Sequence, residues 1–219
     1  MRRPVAIVLV LLTALTAASM PLRATFAAES KPYFLVATPQ IAEPIFGRSV
    51  IMMVPTIEQP LLAGIIINKP TGTSAQEVFP NFPALKGELN SAYFGGPVDN
   101  GQATLALRTA HPPAKATHVF GDVYVSTDAD TIAQMLKDNK DPASVRVFLG
   151  RAQWLNEQLH SEIMEGAWYV VPADASQLFS ADPTHLWRKL VERGQLQEVN
   201  LLPPIFFVNY QFDKMRDNP

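Results

Sequence analysis

The chain has 219 residues, 20 acidic against 18 basic side chains for a net charge of −2, 47% hydrophobic residues and no cysteine. Without cysteine there is neither a disulfide framework nor a thiol to carry a lipid, so the fold must rest on core burial alone. A mildly acidic chain with no basic run gains little from phosphate neutralisation, which disfavours nucleic acid as a partner.

Arg2 and Arg3 precede an uncharged apolar stretch from Pro4 to Leu22, centred on Val5 to Leu12, and small residues follow up to Ala28. A basic start, an apolar core and a small-residue region predict a secretory signal over residues 1–27, cut after Ala27. The rival reading is an uncleaved membrane anchor. Thr13, Thr16, Ser19 and Pro21 count against it, because the stretch barely reaches the ~20 apolar residues that a span needs. Cleavage removes Arg2, Arg3 and Arg23 and no acid, leaving 15 basic and 20 acidic residues, a net charge of −5. The expected location is periplasmic or extracellular, with membrane contact only if the signal is retained.

Short runs rich in β-branched and aromatic residues, bounded by Pro, Gly, Asn or Asp, predict strands. They fall at Tyr33–Ala37, Ser49–Val54, Gly64–Ile67, Ala103–Leu107, Val119–Val125, Val145–Leu149 and Trp168–Val171. Gly64-Ile65-Ile66-Ile67 is apolar on both faces, as in a strand covered on both sides. Ser74-Ala75-Gln76-Glu77 has capping-box spacing and predicts a helix start. Ser126 to Asp128 supply caps for a helix with Ile132, Met135 and Leu136 on one face. Leu155, Leu159 and Ile163 form a helical stripe stopped by Gly166. Asp182-Pro183 opens a last helix with Leu186, Leu190 and Val191 inward, closed by Gly194. Strands outnumber helices without strict alternation, which predicts one mixed-sheet α+β domain. Residues 195–219 include Leu201-Leu202-Pro203-Pro204-Ile205-Phe206-Phe207-Val208, too apolar for a free tail, and are expected to pack on the domain.

Familiar catalytic spacings are missing. The chain has no P-loop and no dinucleotide fingerprint. Gly47-Arg48-Ser49-Val50-Ile51 is the nearest approach to a nucleophile elbow and lacks its second glycine. A hydrolase using Ser49, assisted by Lys69 or Arg48, is kept as an alternative. The four histidines, His111, His118, His160 and His185, lack paired ligand spacing; Glu157 and His160 share a helix face but have no matching second pair. Neither a metal nor a cofactor is expected. Three clusters stand out: Asn68-Lys69-Pro70, Tyr93-Phe94-Gly95-Gly96-Pro97-Val98 and Gly150-Arg151-Ala152-Gln153-Trp154, the last placed between a strand and a helix, where pocket rims form. Gly95 and Gly96 are the positions where another backbone or a ligand can approach.

The order of Phe34-Leu35-Val36-Ala37-Thr38-Pro39, Phe46-Gly47-Arg48-Ser49-Val50-Ile51, Gly64 to Pro70, Tyr93 to Val98 and Phe148-Leu149-Gly150 resembles the YqgE/AlgH family of bacterial proteins. Trp154, Gln158-Leu159, Glu162, Gly166-Ala167-Trp168, Leu178-Phe179 and Trp187 extend the resemblance to about Gly194. It implies one α+β domain over residues 28–194, with a curved mixed sheet flanked by a few helices, and no particular reaction. A regulatory role attached to one relative's name suggests transcriptional control as a second alternative. Gly150-Arg151-Ala152-Gln153-Trp154 stands where the family usually has Gly-Tyr-Ala-Gly-Trp, and relatives generally lack a signal. The leading expectation is a non-catalytic binding or accessory protein of the cell envelope, with a small molecule, a peptide or an envelope protein as partner. Arg48, Asn68, Arg151, Gln153 and Trp154 are the candidate ligand-binding residues: arginine offers forked anion contacts and tryptophan a stacking face.

Overall fold

The computed structural model describes residues 32–56, 60–82, 85, 91–139, 141–180 and 182–199. The expected signal and most of the C-terminal extension, residues 200–219, lie outside them. In chain order the elements are β1 (Tyr33–Ala37), β2 (Val50–Val54), β3 (Leu61–Ile66), β4 (Pro70–Ser74), α1 (Ala75–Val78), β5 (Ser91–Phe94), β6 (Val98–Arg108), β7 (Thr117–Phe120) and β8 (Val123–Ser126). Then come α2 (Ala129–Asp138), a 3₁₀ turn (Pro142–Ser144), β9 (Val145–Leu155), α3 (Asn156–Met164), β10 (Trp168–Pro172), α4 (Ala175–Leu178) and α5 (Leu186–Val199).

One curved sheet runs β10-β1-β2-β3-β9-β6-β8-β7, with β4 and β5 branching from it. Every pair is antiparallel except β5 with β9, so the sheet is mixed and the fold α+β. Period-two alternation sends the two faces of β1 to β3 into different cores. Phe34, Val36, Val50, Met52, Ile65 and Ile67 pack with Leu186, Leu190 and Val191 of α5. Leu35, Ala37, Ile51 and Ile66 pack with Trp154, Trp168 and Leu159 of α3. That double covering is why these strands read as unbroken apolar runs. Leu105, Leu107, Val145 and Val147 form a third core against Ile132, Met135 and Leu136 of α2.

Several expectations are corrected. Val119 to Val125 is not one strand but the β7–β8 hairpin, turned at Gly121, which has φ 52°. β4 and β5 were not foreseen. Leu155 ends β9, just before α3, and is exposed, so the stripe reduces to Leu159 and Ile163. Gly194 does not end α5, which continues to Val199. Its smallness has another cause: a Cβ there would lie 2.6 Å from the Tyr169 ring. The capping box at Ser74 forms as read, with Ser74 Oγ accepting from Glu77 N and the Glu77 carboxylate accepting from Ser74 N.

Candidate functional site

The segment joining β1 to β2 returns along the sheet end and is fixed from both sides. The Glu43 carboxylate accepts the backbone N–H groups of Ile45 and Phe46. Lys69 Nζ donates to the carbonyls of Pro44 (2.9 Å) and Ile45 (2.6 Å). Burial lowers the Lys69 pKa below the ordinary lysine range, and nearby Glu43 opposes that shift. At the end of the segment Arg48 takes a left-handed backbone, φ 57°, which costs a non-glycine residue about 1 kcal/mol or more. Asn68, 7% exposed, holds it there: Asn68 Nδ2 donates to Arg48 O (2.9 Å) while Asn68 Oδ1 accepts Val50 N–H (2.8 Å).

The exposed Arg48 guanidinium lies over the Trp187 ring, 5.8 Å from its centroid, within cation–π range. Trp187 is locked by its indole N–H, which donates to Ala37 O at 2.7 Å. Arg48 has no acidic partner among the described residues. The corner thus presents a prepositioned cation beside an aromatic face, suited to a carboxylate-bearing ligand or peptide.

Ser49 does not support a hydrolase. Its side chain is fully buried, its hydroxyl has no hydrogen-bond partner, and the Lys69 ammonium is directed at backbone carbonyls. A nucleophile needs access to substrate and a base within reach, and Ser49 has neither.

Gly150 to Trp154 is also corrected, because it is the second half of β9 and not a loop between strand and helix. Gly150, with φ 76°, kinks the strand, which then resumes. Alternation turns Trp154 into the core and Arg151 and Gln153 to the other face. Trp154 is 3% exposed, and its indole N–H shares Glu162 Oε2 with that of Trp168 (3.2 and 2.8 Å). Phe46 closes over both indoles, with ring centroids 5.7 and 6.0 Å away. Arg151 pairs with Asp99 at 2.7 Å and leans on Gln153 Oε1 at 3.3 Å. Gly95 and Gly96 serve the chain's own crossing: added Cβ atoms would meet Gly150 O at 2.3 Å and Arg151 C at 2.1 Å.

The five candidates therefore divide three ways. Arg48 and Asn68 meet at the β2–β3 end, Arg151 and Gln153 share a face of β9, and Trp154 sits inside. Sequence reasoning overlooked Trp187 as the platform beneath Arg48, and also Arg146. Arg146 is 5% exposed and donates to Val145 O and Ser180 O, with Phe179 5.6 Å from its guanidinium. Burial lowers its pKa, with Tyr93 opposing. Its sequence signal was a lone charge inside Val145-Arg146-Val147-Phe148. No group of three or more His, Asp or Glu side chains that could hold a metal occurs among the described residues.

Residues 34–198 match the AlgH-like family, DUF179. A UPF0301 protein of Streptomyces avermitilis is 33% identical over 168 residues, covering 73% of this chain and 83% of the relative. One from Thermobifida fusca is 32% identical over 182 residues, covering 77% and 90%. Among solved structures, a Corynebacterium diphtheriae protein superposes with TM-score 0.65 at 22% identity over 75% of this chain and 86% of the other. The AlgH protein of Pseudomonas aeruginosa gives TM-score 0.60 at 24% identity over 81% and 96%. At that identity the two structures speak for the fold alone.

Proposed function

The chain belongs to the AlgH-like family, and on that premise we propose that it is a non-catalytic binding or accessory protein of the bacterial cell envelope, engaging its partner through the Arg48 corner. The carrying observation is Arg48 itself, a surface arginine held in a left-handed backbone by a buried asparagine and laid on an indole. Strain maintained by surrounding structure is a pointer to function. A carboxylate accepts two N–H groups of such an arginine, while Trp187 stacks on an adjoining apolar group. Arg151 and Gln153 form a second polar patch for a larger partner. The envelope assignment is supported by the Arg2-Arg3 start, the apolar stretch after it and the small residues before Ala28.

Thermal-shift screening of the mature protein against carboxylate-bearing envelope metabolites and peptides tests the binding half. Ligands that stabilise the native chain should lose that effect with Arg48→Ala, whose own melting temperature should stay close to the parent's. Indifference to every class, or hits that Arg48→Ala retains, would refute it. N-terminal sequencing of the natural protein tests the compartment: a start at Ala28 in an envelope fraction is expected. An intact Met1 in the cytosol would overturn the envelope role and revive the regulatory reading.

A further inference from the structure

A cleft of about 480 Å³ lies between α2 and the segment that follows β6, and none of Arg48, Asn68, Arg151, Gln153 and Trp154 lines it. Its volume falls within the ~300–1,000 Å³ typical of small-molecule sites. One wall is the face of α2 bearing Thr131, Gln134, Met135 and Asp138, spaced i, i+3, i+4, i+7. The opposite wall carries His111, Pro112 and Pro113, whose fixed φ angles preform it. Leu107 and Met135 are buried and give the cleft an apolar base.

The rim carries donors and acceptors, and its one carboxylate is the exposed Asp138. Gln134 Nε2 donates to Asp138 Oδ2 at 2.7 Å, which leaves Asp138 Oδ1 and Gln134 Oε1 unused among the described residues. The His111 imidazole likewise has no partner among them. Asp138 is, moreover, the last residue of α2, where the helix dipole disfavours an anion and a cation would be preferred. Lys137 meets that preference and Asp138 opposes it. Lys115, on the same segment as the prolines, acts on Asp128 at the other end of the helix. An exposed carboxylate at the helix end, beside the unused Gln134 Oε1 and above an apolar base, offers a seat for a cation that carries an apolar body.

We propose that this cleft binds a small organic ammonium compound, with its ammonium group between Asp138 and the Gln134 carbonyl and its apolar part against Met135, Leu107 and Pro113. This site is independent of the Arg48 corner and of any envelope location.

The test is NMR titration of the full chain without its signal, using benzylamine as probe and benzoate, of similar shape and opposite charge, as control. Benzylamine should produce saturable shifts confined to residues 107–113 and 131–139, and benzoate none. Asp138→Asn should weaken benzylamine at least about tenfold, the loss of one charge-assisted hydrogen bond, while leaving the melting temperature unchanged or slightly raised because the unfavourable dipole contact is gone. Gln134→Ala, on an exposed position, should weaken it less. Equal shifts with benzoate, unaltered affinity in Asp138→Asn, shifts elsewhere, or no saturable response would each overturn the proposal. Since neither variant touches Arg48, its failure leaves the binding role at that corner standing, and the reverse also holds.

Discussion

At the residue scale, the corner depends on Asn68 more than on the arginine it displays. Its amide joins two strands through both of its functional ends, and truncation leaves the Val50 N–H buried without an acceptor. Asn68→Ala should cost about 1–3 kcal/mol in urea denaturation, the penalty for a buried unpaired donor. A change below about 0.5 kcal/mol, the usual size of a surface substitution, would show that the amide is not needed. Asn68 was readable as a polar end to a buried strand, and Arg48 as a forked donor. What could not be read was their joining, since one backbone carbonyl links residues twenty apart. Trp154 was legible as an aromatic but not as a core residue. Its inward direction follows from β9 continuing past Gly150, and a glycine at positive φ reads locally as a turn.

At the element scale, the capping rules located two helix starts because they are local: Ser74 and Asp128 act within three residues of themselves. Asp182-Pro183, by contrast, forms a turn in which Asp182 bonds Thr184, and α5 starts only at Leu186. Helix ends and short strands fared worse. β4 is Pro70-Thr71-Gly72-Thr73-Ser74, turn composition by any propensity, and is a strand only because β5 lies beside it. Gly194 illustrates the same limit. Propensity alone would have Gly194→Ala gain about 0.8–1 kcal/mol in mid-helix. The Tyr169 ring occupies the space of the added methyl, and overpacking of that kind costs about 1–3 kcal/mol. Gly194→Ala should therefore destabilise in the native background and become stabilising beside Tyr169→Ala. Stabilisation in the native background would show that α5 is free to move off β10.

At the scale of the whole molecule, stability toward acid should draw in part on three aspartates: Asp128 and Asp174, which cap α2 and α4, and Asp182, in the turn before α5. Hydrogen bonds from Thr131 hold the Asp128 carboxyl below its ordinary range, and those from Ser176 do the same for Asp174. Thr184, then His185, bring Asp182 down to about 2. Each carboxyl is less easily protonated folded than unfolded, so the unfolded chain takes up more protons as pH falls. Their contribution is complete above about pH 5, clear of the ordinary aspartate range, and drains away as pH drops toward 2. Denaturation midpoints measured between pH 5 and 2 should fall over that window. Asp182→Asn should flatten part of the decline, and an unchanged slope would remove Asp182 from this account.

The eleven residues of β9 serve three neighbours: β6 along one edge, and β5 then β3 along the other, with the Gly150 kink between them. The β1–β3 strands and the β6–β8 strands are thus stitched to each other by a segment made after all of them. Until Leu155 has left the ribosome, the edges of β3 and β6 that β9 covers lack their partner strand. Chaperone dependence of the nascent chain should therefore persist until late in synthesis and cease abruptly once that seam emerges.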